Sequence, residues 1–507
     1  MKKIILSILF SFCGIILTAQ NNNLPVFITD SLDSHIQKNM IEWNIPGMSI
    51  SIVKDGKVIY CKGFGVTKEN GNEKVDENTL FLIGSNTKLF TATTLTILQN
   101  EKKLNLNDNV SKWIPDFRLK DSLAGENVNI YDILSHRIGF ETFQGDFTYW
   151  TSNLSRTEVV IKMGLVEPLY DFRTKWGYCN ACYLTAGEII SAVEGKSWEQ
   201  TVKEKILTPL KMNRTFMMTN ELKTINNIAY PHTLTENKIK VLPIPDLNSL
   251  APAASMGSCA KDMAKWLLTQ LNNGKMGEEQ VISKEAILAT RKPYSILNMD
   301  TRDKQKTHFY LYGLGLMIND RNGKLVYSHT GAVDGFLSSL VFIPEENVGI
   351  MVMTNTDQNN FFQSLTNEIR DAFLGLPYYG FSHKSLEINK EITKKAIAKT
   401  DSLQKIIASN NKLSLSIEKY TGTYTNSLYG KIEIKITNSF LTIYFANHPD
   451  LTAKLEHIIN DLFLCTYSNP TMGITEIPFQ IENGKVTGLD LTVADFLEFT
   501  PYHFIKD

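Results

Sequence analysis

Ser85 and Lys88 stand three residues apart at the head of an apolar run, Leu89-Phe90-Thr91-Ala92-Thr93-Thr94-Leu95. On a helix this spacing puts a hydroxyl and an amine on one face. An amine held there takes the hydroxyl's proton and leaves an oxygen nucleophile, which is what acyl transfer requires. The preceding Phe81-Leu82-Ile83-Gly84 is apolar and ends in a residue that lets the chain turn, so Ser85 is presented at a helix tip. Backbone N–H groups at such a tip lack partners and favour negative charge, the charge a tetrahedral oxyanion develops.

S-x-x-K starts at six places in the chain: Ser51, Ser85, Ser258, Ser402, Ser409 and Ser416. Context separates them. Ser51 falls in an alternating strand pattern, where residues three apart face opposite sides. Ser402, Ser409 and Ser416 lie in a lysine-rich stretch that reads as solvated, and Ser258 reads as a helix cap. Further along, Tyr178-Cys179-Asn180 gives Y-x-N ahead of a helical-looking segment, and His329-Thr330-Gly331 lies between two strand-like runs. Y-x-N recurs at Tyr424 and Tyr467, both downstream of His329. One combination keeps the order S-x-x-K, Y-x-N, H-T-G on a helix start, a loop and a strand.

That ordered set resembles the serine β-lactamase and penicillin-binding protein superfamily, in its class C and DD-peptidase-like branch. Ile133 to Gly139 (Ile-Leu-Ser-His-Arg-Ile-Gly) is similar to the branch's L-L-S-H-T-S-G segment. Pro252 to Leu267 resembles its small-residue turn leading into a D-x-A-x-[FW] helix, and Gly331 with Gly335 fits its G-x-x-x-G. The resemblance covers roughly residues 25–378. It implies Ser85 as nucleophile, Lys88 and Tyr178 as base and proton relay, and His329 as the third catalytic group. It further implies that Asn180 orients Lys88 and binds the substrate amide. Thr330, Gly331 and Ala332 would border the substrate, with the backbone N–H groups of Ser85 and Ala332 forming the oxyanion hole.

His329 departs from the lysine usual in class C β-lactamases. An imidazole with an ordinary pKa near about 6.5 is mostly uncharged at neutral pH, so it hydrogen-bonds where lysine would attract a carboxylate. This shifts the expectation toward a DD-peptidase, D-aminopeptidase or esterase acting on a small amide or ester through a Ser85 acyl-enzyme. A β-lactamase proper is the alternative among enzymes, and a non-catalytic sensor or binding protein is the alternative outside them.

The rest of the composition bounds the setting. The chain has 507 residues, 43% of them hydrophobic, enough for more than one core. Lys2 and Lys3, an apolar stretch from Ile4 to Leu17 and then Thr18-Ala19 read as a signal peptide over 1–19. The expected location is therefore periplasmic or secreted, with no membrane span after leader removal. A net charge of −1 without a basic patch argues against nucleic acid as a partner, leaving a small-molecule or peptide substrate. Cys179 and Cys182 form a C-x-x-C with no second pair or histidine cluster beside it, so they read as packing residues. No metal or other cofactor is expected.

The elements that must position the motifs follow from periodicity. A helix is expected over 29–43, then strands Met48–Val53 and Lys57–Phe64 around an Asp55-Gly56 turn. Helices with long loops fill 85–290, and strands return at Tyr310–Ile318, Leu325–His329, Phe336–Ile343 and Val348–Met353. This predicts an α/β (α+β) unit over 20–379: an antiparallel sheet built from both chain ends, flanked by helices, with a helical subdomain. A helical linker is expected over 380–412, and short alternating segments over 413–507, one hairpin turning at Asn483-Gly484, predict a small antiparallel β-barrel. The Tyr420-x-Gly422-x-Tyr424 opening resembles the lipocalin-like domain appended in this branch. His136 and Arg137 read as structural.

Overall fold

The computed structural model describes residues 24–235, 238–298, 307–409 and 411–507. The expected leader lies outside the described residues. An eight-stranded, wholly antiparallel sheet forms the centre, in the order 57–65, 47–54, 348–354, 336–343, 324–333, 317–321, 310–312 and 295–298. Strand Gly47–Lys54 pairs with Val348–Thr354, so both ends of the hydrolase-like unit meet in mid-sheet. Asp55 and Gly56 both have positive φ, 49° and 76°, which is the turn the hairpin needs.

Alternation decides which face each strand residue covers. Leu337, Val341, Ile343, Ile350 and Val352 pack under two helices, Leu32–Glu42 and Phe361–Phe373, through Leu32, Ile36, Phe361, Leu365 and Ile369. The i, i+4 spacing of those helix residues makes one apolar stripe on each. Phe336, Leu340, Phe342, Met351 and Met353 face the opposite way, toward the larger core with Phe90, Met263, Trp266 and Leu267. The helix Thr87–Asn100 is buried on almost every side, although it carries five threonines. Its hydroxyls are largely used internally: Thr91 Oγ1 donates to the Pro252 carbonyl and Thr94 Oγ1 to the Phe90 carbonyl. Phe90 stacks on Trp266 with ring centroids 4.3 Å apart.

One expected strand divides. Tyr310–Ile318 is a hairpin, Tyr310–Tyr312 against Met317–Arg321, because the chain reverses through Gly313-Leu314-Gly315-Leu316 with Gly315 at φ +75°. The predicted linker contains a 28-residue helix, Phe381–Ala408, which touches the helix Phe361–Phe373 and the strand His448–Ile459.

Beyond it, eight strands between Gly422 and Lys506 close into an antiparallel barrel in which the last strand pairs with the first. Three strands escaped the sequence reading: Gly422–Asn426, His448–Ile459 and Tyr502–Lys506. Aromatic rings fill the barrel, with Phe463 5.1 Å from Phe479 and Tyr424 6.1 Å from Phe479. A ring from outside the barrel joins them. Phe147, in the short helix Asp146–Tyr149, stacks on Tyr429 at 5.2 Å and on His448 at 5.3 Å, and meets Phe445 and Tyr502 edge-on.

Phe147→Ala removes the ring that couples the two units and is expected to cost roughly 3–5 kcal/mol. Urea unfolding followed by calorimetry should then resolve separate barrel and sheet transitions. A single unchanged transition would mean that the units are joined elsewhere.

Candidate active site

Ser85 lies in a 3₁₀ turn, Gly84–Asn86, that runs directly into the helix Thr87–Asn100. Two hydrogen bonds pin this tip to the sheet. Asn86 Nδ2 donates to Ser338 Oγ at 2.7 Å, and Ser338 Oγ donates to the Ile83 carbonyl at 2.8 Å. Close approach requires glycine on both sides. Gly84 has φ +52°, and a Cβ there would stand 2.8 Å from the Ala332 nitrogen; a Cβ on Gly331 would stand 1.9 Å from the Ile83 oxygen. The helix tip and the strand Lys324–Val333 therefore meet backbone to backbone.

Lys88, one turn into the helix, is fully buried. Its Nζ donates to Asn180 Oδ1 at 2.6 Å and contacts Ser85 Oγ and the Ala253 carbonyl, each at 3.1 Å. It also stands over the Tyr178 ring, 4.6 Å from the centroid. Burial penalises the ammonium and pushes the Lys88 pKa down to about 7. Asn180 opens the helix Asn180–Glu194, and its Nδ2 donates to Asp146 Oδ2 at 2.5 Å. Since lysine only donates, Asn180 must turn its carbonyl toward Lys88 and its NH₂ toward Asp146. Burial holds the Asp146 carboxyl well above the usual carboxylate range.

Tyr178 is buried, and its hydroxyl has no hydrogen-bond partner. Burial, reinforced by Tyr312, holds its pKa well above 10, while the neighbouring Ser85 hydroxyl acts in the opposite direction. The group is therefore a neutral phenol. Open hydrogen-bonding capacity of this kind is expected where a substrate atom completes the geometry.

His329 is tied into the protein by both ring nitrogens. Nδ1–H donates to the Thr330 carbonyl at 2.6 Å, which leaves Nε2 to accept from the Tyr312 hydroxyl at 3.1 Å. Tyr312 in turn meets His136 Nε2 at 3.3 Å, and His136 Nδ1 accepts from the Cys179 N–H at 3.1 Å. One set of tautomers satisfies every link: Cys179 N–H to His136, His136 Nε2–H to Tyr312, Tyr312 O–H to His329. Burial and the nearby Lys88 push His329 down to about 3, so the imidazole is uncharged. His136, read from sequence as structural, thus connects the Y-x-N loop to the H-T-G strand.

Ser85, Tyr178, Asn180, His329, Thr330 and Ala332 all line one cavity of about 180 Å³. Lys88 reaches this group from below, through Ser85 and Asn180, and Gly331 lies at the strand's approach to the helix tip. The remaining walls include Phe143, Trp150, Trp176, Met317, Phe496 and Leu497, and no lining residue is lysine or arginine. Cys179 and Cys182 are buried free thiols. Among the described residues no group of three or more His, Cys, Asp or Glu side chains is placed to hold a metal ion.

Sequence reasoning did not single out Asp146, Tyr312 or Ala253. Ala253 falls inside the Pro252–Leu267 segment already noticed, and Tyr312 was concealed by reading its hairpin as one strand. Nothing local to Asp146 marks it, because its partner Asn180 is 34 positions away.

Comparison with known proteins agrees with this architecture. Protein flp of Staphylococcus aureus strain MW2 is 28% identical over 327 residues, 64% of this chain and 62% of that protein, so the chain spans less than two thirds of this relative's length. The unguisins hydrolase ungD' of Aspergillus campestris is 25% identical over 444 residues, covering 83% of this chain and 80% of the relative. Among solved structures, the octameric penicillin-binding protein homologue from Pyrococcus abyssi superposes with a TM-score of 0.60 at 24% identity, covering 94% of this chain and 99% of that one. A D-stereospecific amidohydrolase from Streptomyces gives a TM-score of 0.54 at 20% identity, covering 68% and 99%. At these identities the structural likenesses establish the fold. Residues 408–504 match a model described as a domain of unknown function, DUF3471. Residues 32–373 match the Beta-lactamase model, and the chain belongs to the Beta-lactamase family.

Proposed function

We propose that the protein is an exported serine hydrolase that cleaves a small, uncharged amide or ester through an acyl-enzyme on Ser85. The observation that carries this reading is Lys88: fully buried, 3.1 Å from Ser85 Oγ, with its pKa lowered to about 7. A lysine in that state is an amine in a substantial fraction of molecules at neutral pH, as general-base catalysis requires.

In this reading Ser85 Oγ attacks the carbonyl carbon while its proton passes to Lys88 Nζ. The backbone N–H groups of Ser85 and Ala332 receive the developing oxyanion. The neutral Tyr178 phenol protonates the leaving nitrogen or oxygen and regains its proton from the Lys88 ammonium. Water then attacks the ester by the same route in reverse, releasing the acid and freeing Ser85. His329, with both nitrogens engaged, aligns the strand that carries Ala332. Walls without lysine or arginine, beside an uncharged imidazole, favour a neutral D-amino-acid amide or simple ester over a carboxylate-bearing β-lactam or peptidoglycan stem. The amidohydrolase and hydrolase names among the relatives are consistent with this class. Export rests on the leader-like N-terminus.

A fluorophosphonate probe should add its mass to Ser85, and Ser85→Ala should take up none. Lys88→Met should slow labelling by about 10²–10⁴-fold with the fold intact. The labelling rate should climb with pH through a midpoint near 7, because Lys88 is a base only after losing its proton. A flat profile, or a midpoint near the ordinary lysine value of about 10.4, would remove Lys88 from the role. Turnover of p-nitrophenyl acetate and a D-alanine p-nitroanilide should exceed that of nitrocefin; the reverse order would identify a β-lactamase.

A further inference from the structure

The barrel reaches the cavity through the loop between its last two strands, Lys485–Leu491 and Tyr502–Lys506. Phe496 and Leu497 of this loop line the cavity with Ser85, and Glu498 beside them is 2% exposed. A buried carboxylate needs its lone pairs filled, and Glu498 has four donors. The Gly145 N–H reaches Oε1 at 2.8 Å, the Phe147 N–H reaches Oε2 at 2.9 Å, Tyr502 Oη donates at 2.8 Å, and the Thr500 hydroxyl also donates.

The two backbone donors bracket Asp146. From Asp146 the path is continuous: Asp146 to Asn180 at 2.5 Å, Asn180 to Lys88 at 2.6 Å, Lys88 to Ser85 at 3.1 Å. The barrel grips the same short segment twice more. Phe147 is enclosed by barrel rings, and His448 Nε2 donates to the Trp150 carbonyl at 2.9 Å. Asp146 therefore stands where it does because residues some 350 positions later in the chain hold its neighbours.

We propose that Glu498 of the barrel is a positioning residue for acyl transfer: it fixes the 145–147 turn so that Asp146 keeps the Asn180 amide turned toward Lys88. This rests on the acyl-enzyme reading. If the turn slackens, Asp146 withdraws, the Asn180 NH₂ loses its acceptor, and nothing holds the Asn180 carbonyl on Lys88 Nζ. Lys88 then loses an acceptor that favours its ammonium form. A residue that merely fastened the barrel would influence docking and stability without altering the proton affinity of Lys88.

The test is the pH profile of fluorophosphonate labelling, which reads Lys88 directly. The titratable groups around Lys88 are Asp146, Cys179, Cys182, Tyr178, Tyr183 and His329. None is altered in Glu498→Gln, whose amide keeps the carboxylate's shape but cannot accept from both backbone donors. This variant should label about 10–100-fold more slowly, with the acid limb displaced to lower pH and the concentration for half-maximal rate unchanged. Asp146→Ala should displace the limb in the same direction, and the double variant should add nothing beyond the larger single effect. Tyr502→Phe keeps the ring, removes one donor to Glu498, and should give a smaller displacement of the same sign. A wild-type limb in folded Glu498→Gln overturns the proposal, as does a wild-type limb in Tyr502→Phe if Glu498→Gln does not fold. Wild-type protein that takes up no label overturns the acyl-enzyme reading and this proposal together; labelled wild type with indifferent variants overturns this proposal alone.

Discussion

The constraint that organises this molecule is the burial of one ammonium-bearing side chain. Lys88 has no direct carboxylate partner among its hydrogen bonds, only a hydroxyl, an amide oxygen and a backbone carbonyl. A charge taken out of water with neutral partners binds its proton weakly. Keeping it there demands that every acceptor be held rigidly. The sheet holds the helix tip through Ser338, the helix Asn180–Glu194 supplies the amide, and the turn at Ala253 supplies the carbonyl. Much of the architecture around the cavity can be understood as the support of these three contacts.

The second organising feature is neutrality. His136, Tyr312 and His329 form a hydrogen-bonded series whose tautomers are mutually determined, and neither imidazole is charged. A cation at position 329 would stand beside Lys88 and depress its proton affinity further. The imidazole avoids that repulsion while tying the strand bearing Ala332 to the loop bearing Tyr178. The substitution of histidine for lysine in the third motif thus changes both the charge offered to a substrate and the way two sides of the cleft are fastened.

Much of this was legible in the chain because the informative signals are local. S-x-x-K on one helical turn, Asp55-Gly56 and Asn483-Gly484 at hairpins, and the alternation of Phe336–Ile343 need only short-range geometry, and the order of three motifs narrows the rest. The failures share one cause as well. The Tyr310–Ile318 segment has strand composition throughout, so only the glycines at 313 and 315 hint at the reversal that carries Tyr312 into the site. Asp146 and Glu498 acquire their surroundings from segments hundreds of residues apart, and no periodicity reports on such a meeting. Phe147 reads as an ordinary apolar residue until the barrel that encloses it is in place.

The placement of strand Gly47–Lys54 has a consequence for how the molecule comes into being. Met48 pairs with Thr354, and the backbone that approaches Ser85 comes from Gly331 and Ala332. An emerging polypeptide therefore displays its nucleophile long before it possesses the partners that would activate it. Pairings of such sequence separation form slowly, after a large loop has closed. Reactivity is deferred until nearly all of the first unit has left the ribosome, so immature chains are chemically silent by topology alone.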